Sequence, residues 1–256
     1  MTGADGDVPV RDAATVVLLR DSAAGIEAWL LTRVTGMVFA GGMTVFPGGR
    51  VDPSDSSVPM IGGDLAALAD RFGCDVPTAH ALVGAAVRET FEEAGVLLTA
   101  PAADLSAARA DVELGRVSFA DLLRSTGLAV DASTLRPWSR WVTPAGEVRR
   151  YDTRFFVGAL PDAAEAQDVT SESSEASWVP VGVAIEQAQR GERRMLPPTM
   201  MTLASLLPFG SVSEVLASSD TRSLEPIRPE LRVDGESVTV ALPDGTVVPI
   251  PRSMLS

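Results

Sequence analysis

The sequence predicts a fold of the α+β class, in which strands and helices are mixed without regular alternation. Apolar runs typical of strands occur towards both ends of the chain, and two segments with helical character lie between them. This order favours either an α+β arrangement or three layers, with a sheet between helices. At 256 residues the chain can bury one well-formed core with an appendage.

The chain begins its predicted structure with a β-hairpin. Residues 13–21 form an apolar run that indicates a buried strand, and residues 26–34 indicate its partner after a short turn. The glycine-rich stretch that follows is predicted to be a loop with a short strand near residues 43–46.

Two helices are predicted within residues 60–100, and a broken helical pair within residues 104–128. The helix at about residues 77–94 is the best defined, because Pro77 suits its first turn and Gly95 ends it. The second half of the chain returns to strands and then helices. Its predicted strands are 138–146, 149–160 and 176–181, its predicted helices are 183–195 and 199–207, and its last segment, 230–250, is predicted to be β-hairpin with turns at Asp234–Gly235 and Asp244–Gly245.

The composition restricts the classes of function. The net charge is −13, which argues against a nucleic-acid or anionic-membrane surface and means that a phosphate ester would need a metal ion to bind. Cys74 is the only cysteine, so an internal disulfide and a cysteine-based zinc site are excluded. No signal peptide or apolar run of about 18–20 residues is present, so we expect a soluble cytoplasmic protein.

The stretch VRETFEEAGV, residues 87–96, carries an unusual cluster of acids. At about 100° per residue, Glu89, Glu92 and Glu93 share one face of the predicted helix, opposite its apolar face. A solvated surface face would be the simplest interpretation. However, the acids lie towards the helix C-terminus, where the dipole disfavours anions, and a glutamate pair four residues apart is repulsive unless a cation bridges it.

Residues 88–96, RETFEEAGV, resemble the second half of the Nudix box, and the upstream FPGGRVD at 46–52 resembles the segment that opens it. Together with RPWSRWVTP, RRYDTRFFVGALP and LPPTMMTLASL, these segments resemble the Nudix branch that contains the peroxisomal coenzyme A diphosphatases and their bacterial relatives. The resemblance covers roughly residues 13–208. It implies a Nudix-type α/β/α sandwich with a mixed sheet.

The resemblance has two departures. Gly49 and Arg88 are separated by 38 residues, 25 more than in the family's box, so a helical insertion is expected at about 53–76. The box also has a glutamate eight residues before its arginine, and this position is His80, for which we expect a structural role. The predicted organisation is a flexible N-terminus at 1–12, a Nudix domain at 13–208 and a β-hairpin-like extension at 209–256 that packs on the domain.

The resemblance implies a role for each residue of the box. Glu89, Glu92, Glu93 and the Gly49 carbonyl are the expected ligands of Mg²⁺ or Mn²⁺. Glu89 or Glu92 would also act as the general base. Arg88 is expected to orient a glutamate through a bidentate pair instead of contacting substrate.

Further candidates for the site lie outside the box. Arg33, Arg50 and Arg154 are candidates for substrate contacts. Glu172 and Glu175 precede a predicted strand and are candidates for the additional glutamate that Nudix enzymes often supply from a later loop.

The family resemblance implies hydrolysis of a diphosphate linkage in a nucleoside diphosphate derivative. Coenzyme A or an acyl-CoA is the favoured substrate, and an NAD(H)-like, ADP-sugar or nucleotide compound is the alternative. A non-catalytic ligand-sensing Nudix regulator is a third hypothesis, but it would need a DNA-binding appendage. The expected partner is thus a small-molecule diphosphate, with no nucleic acid and no membrane, and a homodimer stays open.

Overall fold

The computed structural model describes residues 8–35, 41–162, 164–167, 170, 173–234, 237–242 and 245–250. It confirms a mixed α+β architecture. The strands are β1 (Val10–Ser22), β2 (Gly25–Arg33), β3 (Thr44–Val45), β4 (Gly48–Arg50), β5 (Met60–Ile61), β6 (Thr99–Ala100), β7 (Ala129–Asp131), β8 (Leu135–Val142), β9 (Arg150–Ala159), β10 (Ser173–Pro180), β11 (Glu230–Asp234), β12 (Ser237–Ala241) and β13 (Val247–Ile250).

The main sheet has the order β10-β2-β1-β9-β8, with β3 added to β2 and β4 added to β1. β1 pairs with β9 in parallel and with β2 in antiparallel orientation, so the sheet is mixed and the predicted hairpin is confirmed. The run Val16–Leu19 in β1 is apolar throughout because both faces of this central strand are buried.

Helices cover both faces of the main sheet. They are α1 (Leu65–Phe72), α2 (Val76–Ala94), α3 (Ser106–Glu113), α4 (Phe119–Thr126), α5 (Val181–Gln189), α6 (Pro197–Ala204) and α7 (Val212–Ser218). One apolar core unites α1 to α4 with Val16 and Leu18 of β1, and the other unites α5 to α7 with Val17 and Leu19. Alternate side chains of β1 therefore pack into two cores, one on each face of the sheet, and this arrangement gives the predicted three layers.

The segment of the predicted insertion packs against α2. It contains a 3-10 helix at Pro53–Ser57, strand β5 and helix α1. Helix α1 ends at Gly73, as predicted, in the left-handed conformation with a φ of 62°. Strand β5 joins β7 and β6 in a small separate sheet, which ties the insertion to the segments that follow α2.

The C-terminal segment also packs on the main sheet. Ile227 exchanges backbone hydrogen bonds with Arg140 and Val142 of β8, at 2.8 and 2.9 Å. Arg71 of α1 donates to the Ser219 carbonyl at 2.7 Å. Beyond this contact, β11, β12 and β13 form an antiparallel sheet of their own.

Several local predictions need correction. Residues 212–218 form α7, although the extension at 209–256 was predicted to be β-hairpin-like. The pair Pro197–Pro198 occupies the first turn of α6 instead of preceding it, since proline lacks only an N–H that would be unpaired there. Strand β1 already begins at Val10, within the predicted flexible residues 1–12; residues 1–7 and the turn positions 235 and 244 lie outside the described residues.

None of the helices in the described ranges combines the length and the apolar character that a membrane-spanning helix needs.

Candidate metal centre

The acid cluster lies in the last two turns of α2, and the local sequence fixes where those turns fall. Asp75 caps the N-terminus by accepting a hydrogen bond from the Thr78 backbone N–H at 2.8 Å. Gly95 ends the helix in the left-handed conformation, with a φ of 69°, and its N–H bonds to the Phe91 carbonyl. Both ends agree with the predicted boundaries to within one residue.

The three glutamates of α2 face the interior of the protein. The side chains of Glu89, Glu92 and Glu93 are only 12%, 15% and 8% exposed. Strand β4 and the turn before it cover them, and the Gly48 backbone N–H donates to Glu93 Oε2 at 2.9 Å. The interpretation of this cluster as a solvated helix face is therefore wrong.

Strand β4 fits between β1 and α2 because two consecutive residues lack side chains: Gly48 faces β1 and Gly49 faces α2. A Cβ atom on Gly48 would lie 2.6 Å from the Ala14 carbonyl oxygen, and one on Gly49 would collide with the Glu89 carboxylate. Gly49 therefore lies directly against a predicted metal ligand. The role of its carbonyl as a further ligand stays a prediction.

Arg88 is buried, and its main partner is Asp55, which the sequence analysis did not single out. Arg88 Nε and Nη2 donate to Asp55 Oδ1 and Oδ2 at 2.8 and 3.0 Å. The remaining nitrogen, Nη1, donates to Glu89 Oε1 at 2.8 Å and lies 3.4 Å from both Glu92 carboxylate oxygens. Arg88 thus contacts the predicted glutamates, but the prediction that its bidentate partner is a glutamate is wrong.

Asp55 reaches Arg88 because the 3-10 helix lies directly on α2. Asp55 Oδ2 also accepts from the Asp52 backbone N–H at 2.8 Å, which fixes the carboxylate locally. A Cβ atom on Gly84 would lie 2.6 Å from the Asp55 carbonyl oxygen, so only glycine permits this approach. His80 is half-buried one turn earlier on α2. The carboxylate that pairs with Arg88 therefore comes from Asp55 of the 3-10 helix and not from position 80 of α2.

Burial and crowding disturb the ionisation of these groups. Burial raises the pKa of Glu92 to about 7, against the opposing effect of Arg88. The pKa of Glu89 is also raised, chiefly by burial. Burial alone would lower the pKa of Arg88, but hydrogen bonding to Asp55 and the nearby carboxylates raise it overall. Glu89 and Glu92 are therefore harder to ionise here than they would be in water.

The residues at this site fit a hard divalent cation by charge and by donor chemistry. Within the described ranges, no three carboxylate, imidazole or thiol side chains converge tightly enough to hold a metal ion as they stand. Arg88 and the Gly48 N–H engage oxygens that a cation would use. Yet the ion pairs of this cluster involve five carboxylates and only three guanidinium groups. The carboxylates belong to Asp52, Asp55, Glu89, Glu92 and Glu93, and the guanidinium groups belong to Arg33, Arg50 and Arg88. Carboxylate oxygens are the donors that hard divalent cations prefer.

Two of the predicted substrate-binding arginines flank the acid cluster. Arg33 Nη1 lies 4.0 Å from Glu93 Oε1. Arg50 has a side chain that is 59% exposed and pairs with Asp52 at 3.0 Å, while its carbonyl accepts from Arg88 Nη2 at 3.0 Å. Both guanidinium groups thus lie beside the acid cluster, and their contact with substrate stays a prediction.

Arg154 is a correction to the predicted site. Its side chain is buried and pairs with Asp12 and Asp152. This guanidinium neutralises two carboxylates on neighbouring strands and is closed to substrate. Alternation along a strand puts Arg154 on the face opposite Phe155, but this pattern is the same for a substrate contact and for an internal ion pair.

Glu175 stands at the exposed edge of the main sheet. It is paired in register with Thr32, the residue before Arg33, and it lines a shallow cavity of about 310 Å³ with Arg193. Because its partner Thr32 lies near the end of β2, next to Arg33, Glu175 stays a candidate for the additional carboxylate. Glu172, the other candidate, lies outside the described residues.

Comparison with known proteins identifies the family. The family described as the NUDT19 Nudix domain matches residues 58–206, and the chain therefore belongs to it. The chain is 30% identical to the acyl-coenzyme A diphosphatase NUDT19 of Gallus gallus over 78% of this chain and 66% of that protein. It is also 30% identical to the putative nudix hydrolase 7 of Caenorhabditis elegans over 77% of this chain and 60% of the relative.

A solved structure supports the same family. The Nudix hydrolase from Alicyclobacillus acidocaldarius is 29% identical, with a TM-score of 0.70 over 86% of this chain and 99% of that chain. The chain spans 60 to 66% of the length of the curated relatives that it matches.

Proposed function

We propose that the chain hydrolyses a diphosphate linkage with the help of a divalent cation, and that its substrate is coenzyme A or an acyl-CoA. Family membership supports the reaction class. The naming of NUDT19 relatives as acyl-coenzyme A diphosphatases supports the substrate class. The buried acid cluster of α2, covered by the glycines of β4, is the observation that carries the proposal.

In this proposal, Glu89, Glu92, Glu93 and the Gly49 carbonyl hold Mg²⁺ or Mn²⁺. A bound ion would neutralise the diphosphate charge and lower the pKa of a water molecule, so that the water could lose a proton to a base and attack as hydroxide near neutral pH. This chemistry accounts for an enzyme of net charge −13 that acts on an anion.

The surrounding residues position the ligands. Asp55 holds Arg88, and Arg88 in turn holds Glu89. The Gly48 N–H holds Glu93. These contacts restrict the carboxylates before the cation binds. Less conformational entropy is then lost on binding, which favours it.

Glu92 is the better candidate for the general base. Glu89 Oε1 accepts a 2.8 Å hydrogen bond from Arg88, whereas both Glu92 oxygens lie 3.4 Å from the same nitrogen. Glu92 therefore has the carboxylate that is freer to accept a proton from water. Arg33 and Arg50 would contact the substrate phosphates, and Glu175 would contribute from the sheet edge.

A panel of diphosphate compounds tests the proposal. Coenzyme A, an acyl-CoA, NADH, an ADP-sugar and a nucleoside triphosphate are each incubated with the full chain, and the phosphorylated products are separated and identified. We expect turnover with Mg²⁺ or Mn²⁺, abolition by EDTA and the highest kcat/KM for a CoA compound. A metal-independent rate would contradict the mechanism. Preference for NADH or an ADP-sugar would support the alternative substrate class instead of coenzyme A. No turnover across the panel would favour the regulator hypothesis.

A cytoplasmic location is a further part of the proposal and rests on the sequence composition, whereas a homodimer stays an open alternative. Light scattering on the purified chain would give the oligomeric state directly, and a monomeric mass would exclude a homodimer.

A further inference from the structure

A second cavity lies between the C-terminal segment and the face of the main sheet opposite α2. The cavity has a volume of about 360 Å³ and is bounded by β8, α6, residues 222–227 and Leu242. This volume lies at the lower end of the range of about 300–1,000 Å³ that is typical of ligand pockets. The cavity belongs to the second core and not to the acid cluster.

Three polar groups without partners belong to residues that line this cavity. Ser139 Oγ, Trp141 Nε1 and Thr202 Oγ1 are buried and have no hydrogen-bond partner in the described part of the chain. An unpaired buried polar atom costs free energy, so three of them around one cavity indicate that something other than these residues satisfies them. Indole nitrogen is only a donor, and hydroxyl groups can donate, so the set favours a ligand with acceptor oxygens.

Arg222 supplies a positive charge to the same cavity. Its guanidinium carbon lies 3.6 Å from the centre of the Trp138 ring, and its Nε donates to the Trp138 carbonyl at 3.2 Å. No carboxylate of the described ranges forms an ion pair with it. Burial lowers the pKa of Arg222, which reflects a cation removed from water without a compensating anion. Glu225 also lines the cavity, but it is exposed at the rim.

The remaining wall is apolar. The ring of Trp141 and the side chains of Met201, Ile227 and Leu242 line it. An inorganic anion alone would leave this wall without contacts, whereas a neutral apolar molecule would leave Arg222 and the three polar groups unpaired.

We propose that this cavity is a binding site for a small amphipathic anion, which consists of a medium-length apolar chain and one carboxylate or phosphate group. The oxyanion pairs with Arg222 and accepts hydrogen bonds from Trp141, Ser139 and Thr202 after a small adjustment of the cavity. The apolar body lies against Ile227 and Leu242. The C-terminal segment then has a role, because without it the cavity would be an open face of β8.

The test is calorimetric titration of the full chain with octanoate and with octyl phosphate. Octylamine and 1-octanol serve as controls, since they keep the apolar body and lack the anion. We expect both anions to bind at one site per chain, at least about tenfold more tightly than either control. Tighter binding of one anion than the other identifies the head group. Equal binding of octylamine, or no saturable binding of either anion, overturns the proposal.

Variants locate the site. Arg222→Met keeps the packing on Trp138 and should weaken anion binding about tenfold or more, whereas Arg222→Lys should restore part of it. Arg116→Met is the matched control, because Arg116 is exposed and pairs only with Asp111 within the described chain; it should leave binding unchanged. Unchanged binding in Arg222→Met overturns the proposal.

A second variant keeps the test decisive if Arg222→Met does not fold. Thr202→Val removes an unpaired hydroxyl at nearly constant shape. It should raise the Tm of the ligand-free protein and at the same time weaken anion binding. A Tm increase with unchanged binding would mean that Thr202 is only a packing residue and would refute the site. The titrations do not depend on hydrolysis, so their outcome is separate from that of the proposed enzyme activity.

Discussion

Asp55 and Arg88 form a buried bidentate ion pair, with Nε–Oδ1 and Nη2–Oδ2 distances of 2.8 and 3.0 Å. The pair joins a 3-10 helix in the predicted insertion to the helix that carries the acid cluster. Arg88 passes this constraint on to Glu89 through its third nitrogen. The predicted insertion therefore helps to position the residues of the acid cluster.

The first prediction concerns that pair. Asp55→Asn keeps the shape but removes the charge that compensates a buried guanidinium, and breaking such a pair costs about 3–5 kcal/mol. We expect a clear loss in the free energy of unfolding, measured in urea, together with lower turnover. Asp121→Asn is the matched control, because Asp121 pairs with Arg124 at the surface, where an ion pair contributes little. Equal stability of the two variants would show that Asp55 does not compensate Arg88.

The second prediction concerns the contact between the 3-10 helix and α2. Gly84→Ala places a Cβ atom 2.6 Å from the Asp55 carbonyl oxygen, and the backbone on that side must move. Overpacking of this kind costs about 1–3 kcal/mol, and the shift should weaken the Asp55–Arg88 pair and reduce turnover. The measurements are urea unfolding and kcat. Gly182→Ala is the control, since nothing lies within 4 Å of its Cβ position. A similar loss in this variant would show that the contact with the Asp55 carbonyl oxygen is not the cause.

The third prediction separates stability from activity at β4. In Gly49→Ala the three atoms nearest to the added Cβ all belong to the end of the Glu89 side chain, which can rotate away. We expect the Tm to change little while turnover falls by about 10- to 100-fold, because Glu89 can no longer occupy its position. Gly48→Ala meets the Ala14 backbone instead and should lower the Tm. Full activity in Gly49→Ala would show that the placement of Glu89 against β4 is unimportant.

The fourth prediction concerns the negative charge of Glu93. Glu93→Gln can still accept the Gly48 hydrogen bond, so folding should be retained, but the charge for the cation is lost. We expect kcat to fall by at least about 100-fold with little change in Tm, since each factor of ten corresponds to about 1.4 kcal/mol in the barrier. Glu186→Gln, at an exposed position on α5, is the control. Activity at the level of the unmodified protein in Glu93→Gln would refute the assignment.

The fifth prediction is a binding test that needs no substrate. Mn²⁺ or Mg²⁺ should raise the Tm of the unmodified protein in a concentration-dependent way, by the equivalent of about 2.7 kcal/mol at 100 times Kd. The Glu93→Gln variant should show a much smaller increase. Ca²⁺, a larger ion, and a monovalent salt at equal ionic strength are the controls. An equal rise with monovalent salt would indicate general screening of the acidic chain instead of a site.

The sequence determined the local features of this protein. The apolar run of β1, the caps of α2 and the glycine after α1 are decided by neighbours in the chain, so their elements could be predicted closely. The resemblance of residues 46–52 and 88–96 to the Nudix box gave the family and the acid cluster. Helix α7 was missed, because a short helix has little periodicity of its own and depends on packing.

Tertiary structure alone decided which charges meet. Asp55 precedes Arg88 by 33 positions, and nothing in the local sequence of either residue specifies the other. Arg154 became an internal ion-pair partner because the pairing of β1 with β9 brings Asp12 next to it. The partners of a charged side chain depend on approach between distant segments, and this approach is set by the packing of whole elements, which local patterns of residues do not contain.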